Sequence, residues 1–265
     1  MTSSVGIIRA VVQPHVLVRG LIRTLSLGSL EFRLGMQALE KAQYAFGIKQ
    51  AIYLAARLNR TRVAVLEFGV GTGGGLLLME RYAAELGRAY GVTVDVYGFD
   101  FGSGLPAPAD YRDLPYAWKS GDYAMNVAEV RRQLKTARLL LGDVGETLPQ
   151  FIDSNPAPVG FISFDLDYYS STVSAFRIFD SPAEILLPRV LCYFDDVGSD
   201  CRQLHCDYVG ELLAISEFNR RAEDCHRLCH TWINTPHIKF PAPWQHQLWV
   251  YHRFSHPLYN SYIPA

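Results

Sequence analysis

Residues 62–75 read RVAVLEFGVGTGGG, and the order of residue types in this stretch decides the fold class. The run Val63 to Leu66 is apolar throughout and rich in β-branched residues, which suits a strand buried on both faces. It ends on an acidic residue, Glu67, and then opens through glycines into a helical pattern. Glycines let a backbone pass close beneath a ligand, and a carboxylate accepts from two donors at once. A buried strand, an acid and a glycine turn before a helix together make a ligand-binding turn.

On both sides of this turn, short β-rich runs alternate with helical stretches, the pattern of parallel strands joined by crossover helices. The sequence predicts strands at 63–68, 93–99, 138–141, 158–165, 190–195, 234–239 and 247–253. Helices are expected at 73–87, 122–136, 145–153, 170–179 and 203–222. Upstream, Leu30, Leu34, Leu39, Tyr44, Ile48, Ala51, Ile52 and Ala55 recur at helical spacing, so residues 1–60 read as an N-terminal helical extension and 61–265 as one domain. Pro241 to Pro243 separates the last two expected strands, which predicts an antiparallel pair there. The expected fold is α/β: a mostly parallel seven-stranded sheet with one antiparallel strand.

The 265 residues are 49% hydrophobic and 19% charged, enough apolar material for a buried sheet. Lys and Arg number 25 against 26 Asp and Glu, and with no basic run nothing points to nucleic acid as a partner. The apolar tract Val5 to Leu30 is broken by Arg9, Pro14, His15, Arg19 and Arg23, so it is read as neither a transmembrane segment nor a signal peptide. An amphipathic helix at a dimer contact and one at a membrane surface both remain open. A cytoplasmic location is expected. The odd number of cysteines, five, does not suit a secreted disulfide framework.

Gly69, Gly71 and Gly74 also satisfy G-x-G-x-x-G, the dinucleotide fingerprint, a weak signal alone. Against an NAD-dependent oxidoreductase, Glu67 would set a negative charge beside a pyrophosphate. The next strand-end acid, Asp100, comes later than the roughly 20-residue interval usual for that fingerprint. Little chain remains for a separate catalytic domain. LEFGVGTGGG instead resembles the first motif of class I S-adenosylmethionine (SAM) dependent methyltransferases, and YGFDFGSGLP (97–106) resembles their second. The resemblance implies a Rossmann-like fold, a methionine and ribose cradle at Glu67, Gly69 and Gly71, and ribose hydroxyls on Asp100. LLLGDVGETLP (139–149) is similar to the stretch after the third strand, which would bring Gly142 and Asp143 near the adenine. SAM carries no phosphate, so Glu67 could approach its cationic amino acid end.

FISFDLDYYSST (161–172) and LCYFDDV (191–197) place Asp165 and Asp167 at one strand end, and Asp195 and Asp196 at the next. If those strands are neighbours, about 4.8 Å apart, four carboxylates converge where ligands bind in such sheets. Like charges so close call for a cation, and oxygen ligands suit Mg²⁺ or Ca²⁺. Such an ion lowers the pKa of a bound hydroxyl, which points to O-methylation. The bland alternative is that Asp167 with Ser170 and Ser171 starts a helix and Asp195 touches the cofactor. D-x-D-x-Y-x-S-T followed by D-D resembles the metal-dependent, macrocin-type sugar O-methyltransferases over about residues 60 to 200, with Leu166 where that family usually has Gly. The resemblance implies Asp167 or Asp165 with Asp195 and Asp196 as metal ligands, and SAM and Mg²⁺ as cofactors.

Candidate bases are Asp165, Asp167, His205, His226 and His230, with the Asp-x-Asp pair favoured as catalytic and Asp165 also counted beside the cofactor. Cys201, His205, Cys206, Cys225, His226, Cys229 and His230 are zinc-binding types without C-x2-C spacing, and fit helix packing equally well. Residues 101–121, FGSGLPAPADYRDLPYAWKSG, form the longest aperiodic stretch and are a candidate substrate lid. Tyr111, Tyr116, Trp118, Tyr123, Tyr168 and Tyr169 are either ring-stacking or core residues. A small-molecule acceptor and a homodimer or higher oligomer, through residues 1–60 or through WVYHRF (249–254), complete the expectations. A SAM-binding protein of this fold without methylation remains the other alternative.

Overall fold

The computed structural model describes residues 14–198, 203–221, 225–231, 238, 240 and 242–264. Three helices come first: α1 (Pro14–Thr24), α2 (Leu30–Gly35) and α3 (Ala42–Arg57). Then β1 (Arg62–Phe68), α4 (Gly74–Tyr90), β2 (Thr93–Asp100), α5 (Val127–Gln133), β3 (Arg138–Leu141), α6 (Val144–Asp153), β4 (Val159–Phe164) and α7 (Tyr169–Ala175) alternate. The chain closes with β5 (Leu186–Phe194), α8 (Gly210–Arg221), β6 (His226–His230) and β7 (Leu248–Arg253).

One seven-stranded sheet runs β3-β2-β1-β4-β5-β7-β6, parallel except for β7, which is antiparallel to both neighbours. This is the expected α/β sheet with one reversed strand. The sixth strand differs in position: the expected run 234–239 falls mostly outside the described residues, and β6 is His226–His230. The expected helix over 203–222 is also shorter, because its first seven residues are turn and loop; its last, 222, lies outside the described residues.

Both faces of the sheet are covered, so β1 and β4 are buried along nearly their whole length. On one face α2, α3 and α4 pack over Val63, Val65, Phe161 and Leu191. On the other, α6, α7 and α8 pack over Ala64, Leu66, Phe68 and Ile162. Parallel strands buried on two faces need continuous apolar runs rather than alternation, which is what the sequence supplies.

A row of phenylalanines crosses the second face. Phe99, Phe68, Phe164 and Phe194 are in register on β2, β1, β4 and β5, with ring centroids 4.7, 5.5 and 4.7 Å apart in that order. All four are at most 2% exposed. Stacked aromatic pairs contribute beyond the area they bury, about 0.5–1.5 kcal/mol each, and a one-residue slip of any strand would turn its ring to the opposite face. The row therefore fixes where each strand ends.

Phe164 touches two rings of the row and meets Phe176 edge-on. Phe164→Ala is expected to cost about 3–5 kcal/mol of stability, read as a lowered urea midpoint with an unchanged denaturant slope.

Candidate active site

The residue after each phenylalanine of the row begins a loop or ends a strand: Gly69 after Phe68, Asp100 after Phe99, Asp165 after Phe164 and Asp195 after Phe194. With Gly142 beyond β3, these residues meet at one sheet edge and line a single cavity of about 1100 Å³. That is at the upper end of small-molecule sites, which run to roughly 1,000 Å³. Gly71, Asp143, Asp167 and Asp196 line it as well. Of the residues assigned from the sequence to the cofactor, the metal and the Asp-x-Asp pair, Glu67 alone is not on the cavity wall.

The glycine turn is forced by close approach. Gly69 N donates to Phe99 O at 2.9 Å, and Asp165 N donates to Phe68 O at 2.9 Å, so the turn is stitched to both neighbouring strands. Gly69 has φ +83°, and a Cβ there would overlap the Asp165 carbonyl oxygen. Only glycine meets both demands. Asp100 then holds the turn from the other side: its Oδ2 accepts from Val70 N at 2.9 Å and Gly71 N at 2.8 Å, and its Oδ1 accepts from Gly102 N at 2.6 Å. A carboxylate has about four acceptor positions, which leaves Asp100 roughly one for a ligand. Asp143 caps α6 by accepting from Gly145 N at 2.6 Å while facing the cavity.

Glu67 points away from the cavity into the layer beneath α3. It is 1% exposed, its Oε1 accepts from the Tyr44 hydroxyl at 2.5 Å, and a side chain at Gly75 would overlap it. Its Oε2 has no partner among the described residues. Burial raises this carboxyl from 4.5 to about 8, outweighing Lys41 and the Tyr44 hydrogen bond, which lower it. Tyr44 in turn accepts from Ser163 and from Lys41 Nζ, each at 3.2 Å, and Lys41 reaches the cavity to pair with Asp165 Oδ2 at 3.2 Å. No periodicity could have announced this contact, because Lys41 and Asp165 lie 124 residues apart.

The four aspartates come together as their strand positions require. Asp167 has φ +60°, with Tyr168 N donating to Leu166 O at 2.6 Å across it. Asp tolerates this left-handed region better than most residues, and such tight turns concentrate at functional sites. Asp167 N also donates to Asp196 Oδ2 at 3.1 Å, and Asp195 Oδ1 accepts from Tyr193 at 2.5 Å. Behind them Glu211, which the sequence did not single out, is fully buried; its Oε2 accepts from Asp196 N at 2.9 Å and its Oε1 is unpartnered among the described residues. Burial first, then Asp167, Asp165 and Asp195, push the Asp196 carboxyl well up; burial and then Asp195 raise Asp165 to about 6 against the pull of Lys41. Hard oxygen donors that disfavour one another's ionisation fit a divalent cation in kind. They are not pre-arranged for one: among the described residues no three His, Cys, Asp or Glu side chains form a ready coordination shell.

The histidines and cysteines stand elsewhere. Cys201 lies outside the described residues, and none of His205, His226 and His230 lines the cavity. Cys225 precedes β6, and His226, Cys229 and His230 lie on it, so the expected helical packing of Cys225 with Cys229 is replaced by a strand. His226 stacks on Phe218 at 5.1 Å. The segment 101–121 walls the cavity through Gly104, Leu105, Pro106, Ala107 and Trp118, with Tyr123 just beyond it. Asp113 ties this segment down, accepting from Ala109 N and from both Ser170 N and Oγ at 2.8–2.9 Å. Tyr111 and Tyr116 are exposed, and Tyr168 and Tyr169 are buried.

No protein-family model and no curated protein matches the chain in sequence. Among solved structures, the crystal structure of CalS11, calicheamicin methyltransferase, superposes with a TM-score of 0.54 at 19% identity, covering 92% of each chain. The fold is that of the class I methyltransferases. An apo structure of CalS11, there described as a TDP-rhamnose 3'-O-methyltransferase, gives 0.44 at 18% identity over 92% of this chain and 94% of that one. The O-methyltransferase from Bacillus cereus in complex with SAH gives 0.41 at 13% over 89% and 96%. Identities this low establish architecture, and the chemistry has to come from the cavity.

The buried Glu67 makes a pH prediction. Its unfolded carboxyl ionises near 4.5 and its folded one near 8, so between those values the unfolded state releases a proton that the folded state keeps. Stability from this group is complete below about 4.5 and falls as pH rises to about 8, by at most about 1.4 kcal/mol per pH unit. Glu67→Gln keeps the Tyr44 hydrogen bond and removes the titration. It should be more stable than the parent at pH 8.5 and similar at pH 4.5 in urea unfolding; an unchanged difference across the range would refute the assignment.

Proposed function

We propose that the chain is a SAM-dependent O-methyltransferase acting on a hydroxyl of a small molecule, a sugar-containing natural product being the favoured acceptor, with Mg²⁺ assistance. The observation that carries this reading is the single cavity that runs from the glycine turn, Asp100 and Asp143 to the cluster of Asp165, Asp167, Asp195 and Asp196. Gly69 and Gly71 would pass beneath the methionine and ribose, Asp100 would accept from a ribose hydroxyl, and Gly142 and Asp143 would flank the adenine. SAM supplies an electrophilic methyl group, and a divalent ion on Asp167, Asp195 and Asp196 would supply Lewis acidity toward the acceptor hydroxyl.

Asp165 and Asp167 are the proposed catalytic pair. A carboxyl raised to about 6 is still mostly ionised at neutral pH, so Asp165 can accept the acceptor's proton with more driving force than an ordinary aspartate. Trp118 and Tyr123, 5.7 Å apart, offer ring faces on the lid side.

The likeness to CalS11, which acts in calicheamicin biosynthesis, supports a natural-product acceptor. Residues 1–60 are proposed as an extension that completes the domain 61–265. The four described cysteines are unpaired, in keeping with a reducing, cytoplasmic setting, and no helix among the described residues is long and apolar enough to cross a membrane. For a homodimer, WVYHRF is the weaker surface because β7 is flanked on both edges by β5 and β6. α1 instead leaves Leu17 and Leu21 more than half exposed, with Leu25 just beyond it. Light scattering at micromolar concentration should report a dimer that Leu17→Glu with Leu21→Glu converts to monomer.

Calorimetric titration with S-adenosylhomocysteine (SAH) should show micromolar binding that Asp100→Ala weakens at least about tenfold, the loss of one charge-assisted hydrogen bond together with a loosened turn. Heat on adding Mg²⁺ that disappears with Asp196→Ala would support the metal. Nicotinamide-cofactor binding without SAH binding would instead establish the oxidoreductase. SAH binding with function indifferent to Asp165→Ala and Asp167→Ala would leave a binding protein of this fold.

A further inference from the structure

The cavity is lined by seven carboxylates, those of Glu40, Asp100, Asp143, Asp165, Asp167, Asp195 and Asp196, and by one cation among the described residues, Lys41. Lys41 does not belong to the sheet. It stands just before α3 with φ +39° and no side-chain cap on the helix. α3 packs against β1 and β4 through Tyr44, Ile48, Ala51 and Ile52, which anchors Lys41 at the ends of those two strands.

Its ammonium is held on two sides. It donates to Tyr44 Oη at 3.2 Å while lying 5.0 Å from that ring's centre, and it pairs with Asp165 Oδ2 at 3.2 Å. An ammonium has three donors, so one N–H is left, on a side chain 35% exposed beside the cavity. Asp165 and Glu67 favour the charged form strongly enough to raise the Lys41 pKa against the cost of its burial. It is a fixed cation rather than a base.

The strand order says which part of a ligand it meets. Gly142 and Asp143 follow β3, Asp100 ends β2, the glycine turn follows β1, and Asp165 with Lys41 lies at β4. From β3 to β4 is three strand spacings, about 14 Å, enough for an extended nucleoside carrying an amino acid arm. Adenine at one end places the amino acid at the other. An α-carboxylate there would face Asp165 and its acidic neighbours with no other positive side chain among the described lining residues.

We propose that Lys41 binds the α-carboxylate of the cofactor's methionine moiety, making a residue upstream of the sheet a determinant of cofactor selection. The proposal rests on the reading of the cavity as a SAM site. Lys41 keeps Asp165 and Tyr44 as its supports and gives its third N–H to the ligand. A nucleoside thioether lacking the carboxylate gains nothing from it.

Calorimetric titration of the parent protein, Lys41→Met and Lys41→Arg with SAH and with 5'-methylthioadenosine, which lacks the amino acid, tests this. Lys41→Met is expected to weaken SAH roughly 10- to 100-fold, the usual worth of a charge-assisted hydrogen bond. 5'-Methylthioadenosine affinity should stay within about twofold, and Lys41→Arg should retain most of the SAH affinity. Equal losses for both ligands, or none, would overturn the proposal while leaving the SAM site standing. Decarboxylated SAM offered to the parent protein makes the same comparison without a substitution: it should bind at least about tenfold more weakly than SAM, and equal affinities would overturn the role of Lys41. A parent protein that binds none of these ligands sinks the SAM reading, and this proposal with it.

Discussion

Four phenylalanines stacked across the sheet hold the strand ends level, and the chemistry begins one residue later. Phe68, Phe99, Phe164 and Phe194 each precede a residue of the cavity edge, namely Gly69, Asp100, Asp165 and Asp195. Because side chains alternate along a strand, a ring pointing into the core leaves its successor aimed elsewhere. The apolar contact thus sets the register on which the polar site depends. A slip on one strand would bury a carboxylate among aromatic rings, a far larger penalty than the lost stacking.

That arrangement concentrates negative charge. The ends of β3, β2, β4 and β5 deliver carboxylates to one cavity, and burial makes their mutual repulsion costly. The molecule answers in three ways. Glu67 is withdrawn beneath Gly75 and kept largely protonated, so its charge is removed rather than paired. Asp100 and Asp113 are satisfied by backbone N–H groups. Asp165 is paired with Lys41. Among the described residues Asp196 and Glu211 receive one backbone hydrogen bond apiece, and burial together with neighbouring carboxylates pushes both well up, so a cation at that end of the cavity would offset the repulsion.

The sheet could be read from the sequence because two-sided burial writes itself as continuous apolar runs such as Val63 to Leu66 and Val159 to Ile162. Gly69 and Gly71 could be read because the turn demands conformations that few residues adopt. Asp165, Asp167, Asp195 and Asp196 could be placed together once their strands were taken as neighbours. β6 could not, since HRLCH at 226–230 has no more strand character than the run expected at 234–239. Glu67 was legible as special but not in direction: nothing local says that its carboxyl faces Tyr44 instead of the cavity. The phenylalanine row had a signal, the Phe at the centre of EFG, GFD, SFD and YFD, which becomes visible only when the strands are compared with one another.

The site contacts of Lys41, Tyr44 and Glu211 left no local trace, and the reason is the same for each: their meaning is electrostatic and belongs to groups far along the chain. Lys41 reads as a solvated residue at a helix start until the fold places it against Asp165. Its position divides the cavity by charge. On the β4 side of the glycine turn a fixed ammonium offsets Asp165, whereas toward β5 the aspartates have no positive side chain among the described lining residues. A ligand carboxylate is therefore favoured at the first place and a cation at the second. On the proposed reading, a zwitterionic amino acid arm would take the first place and a metal-assisted acceptor hydroxyl the second, so the charge pattern would orient the two reactants along the row of strand ends.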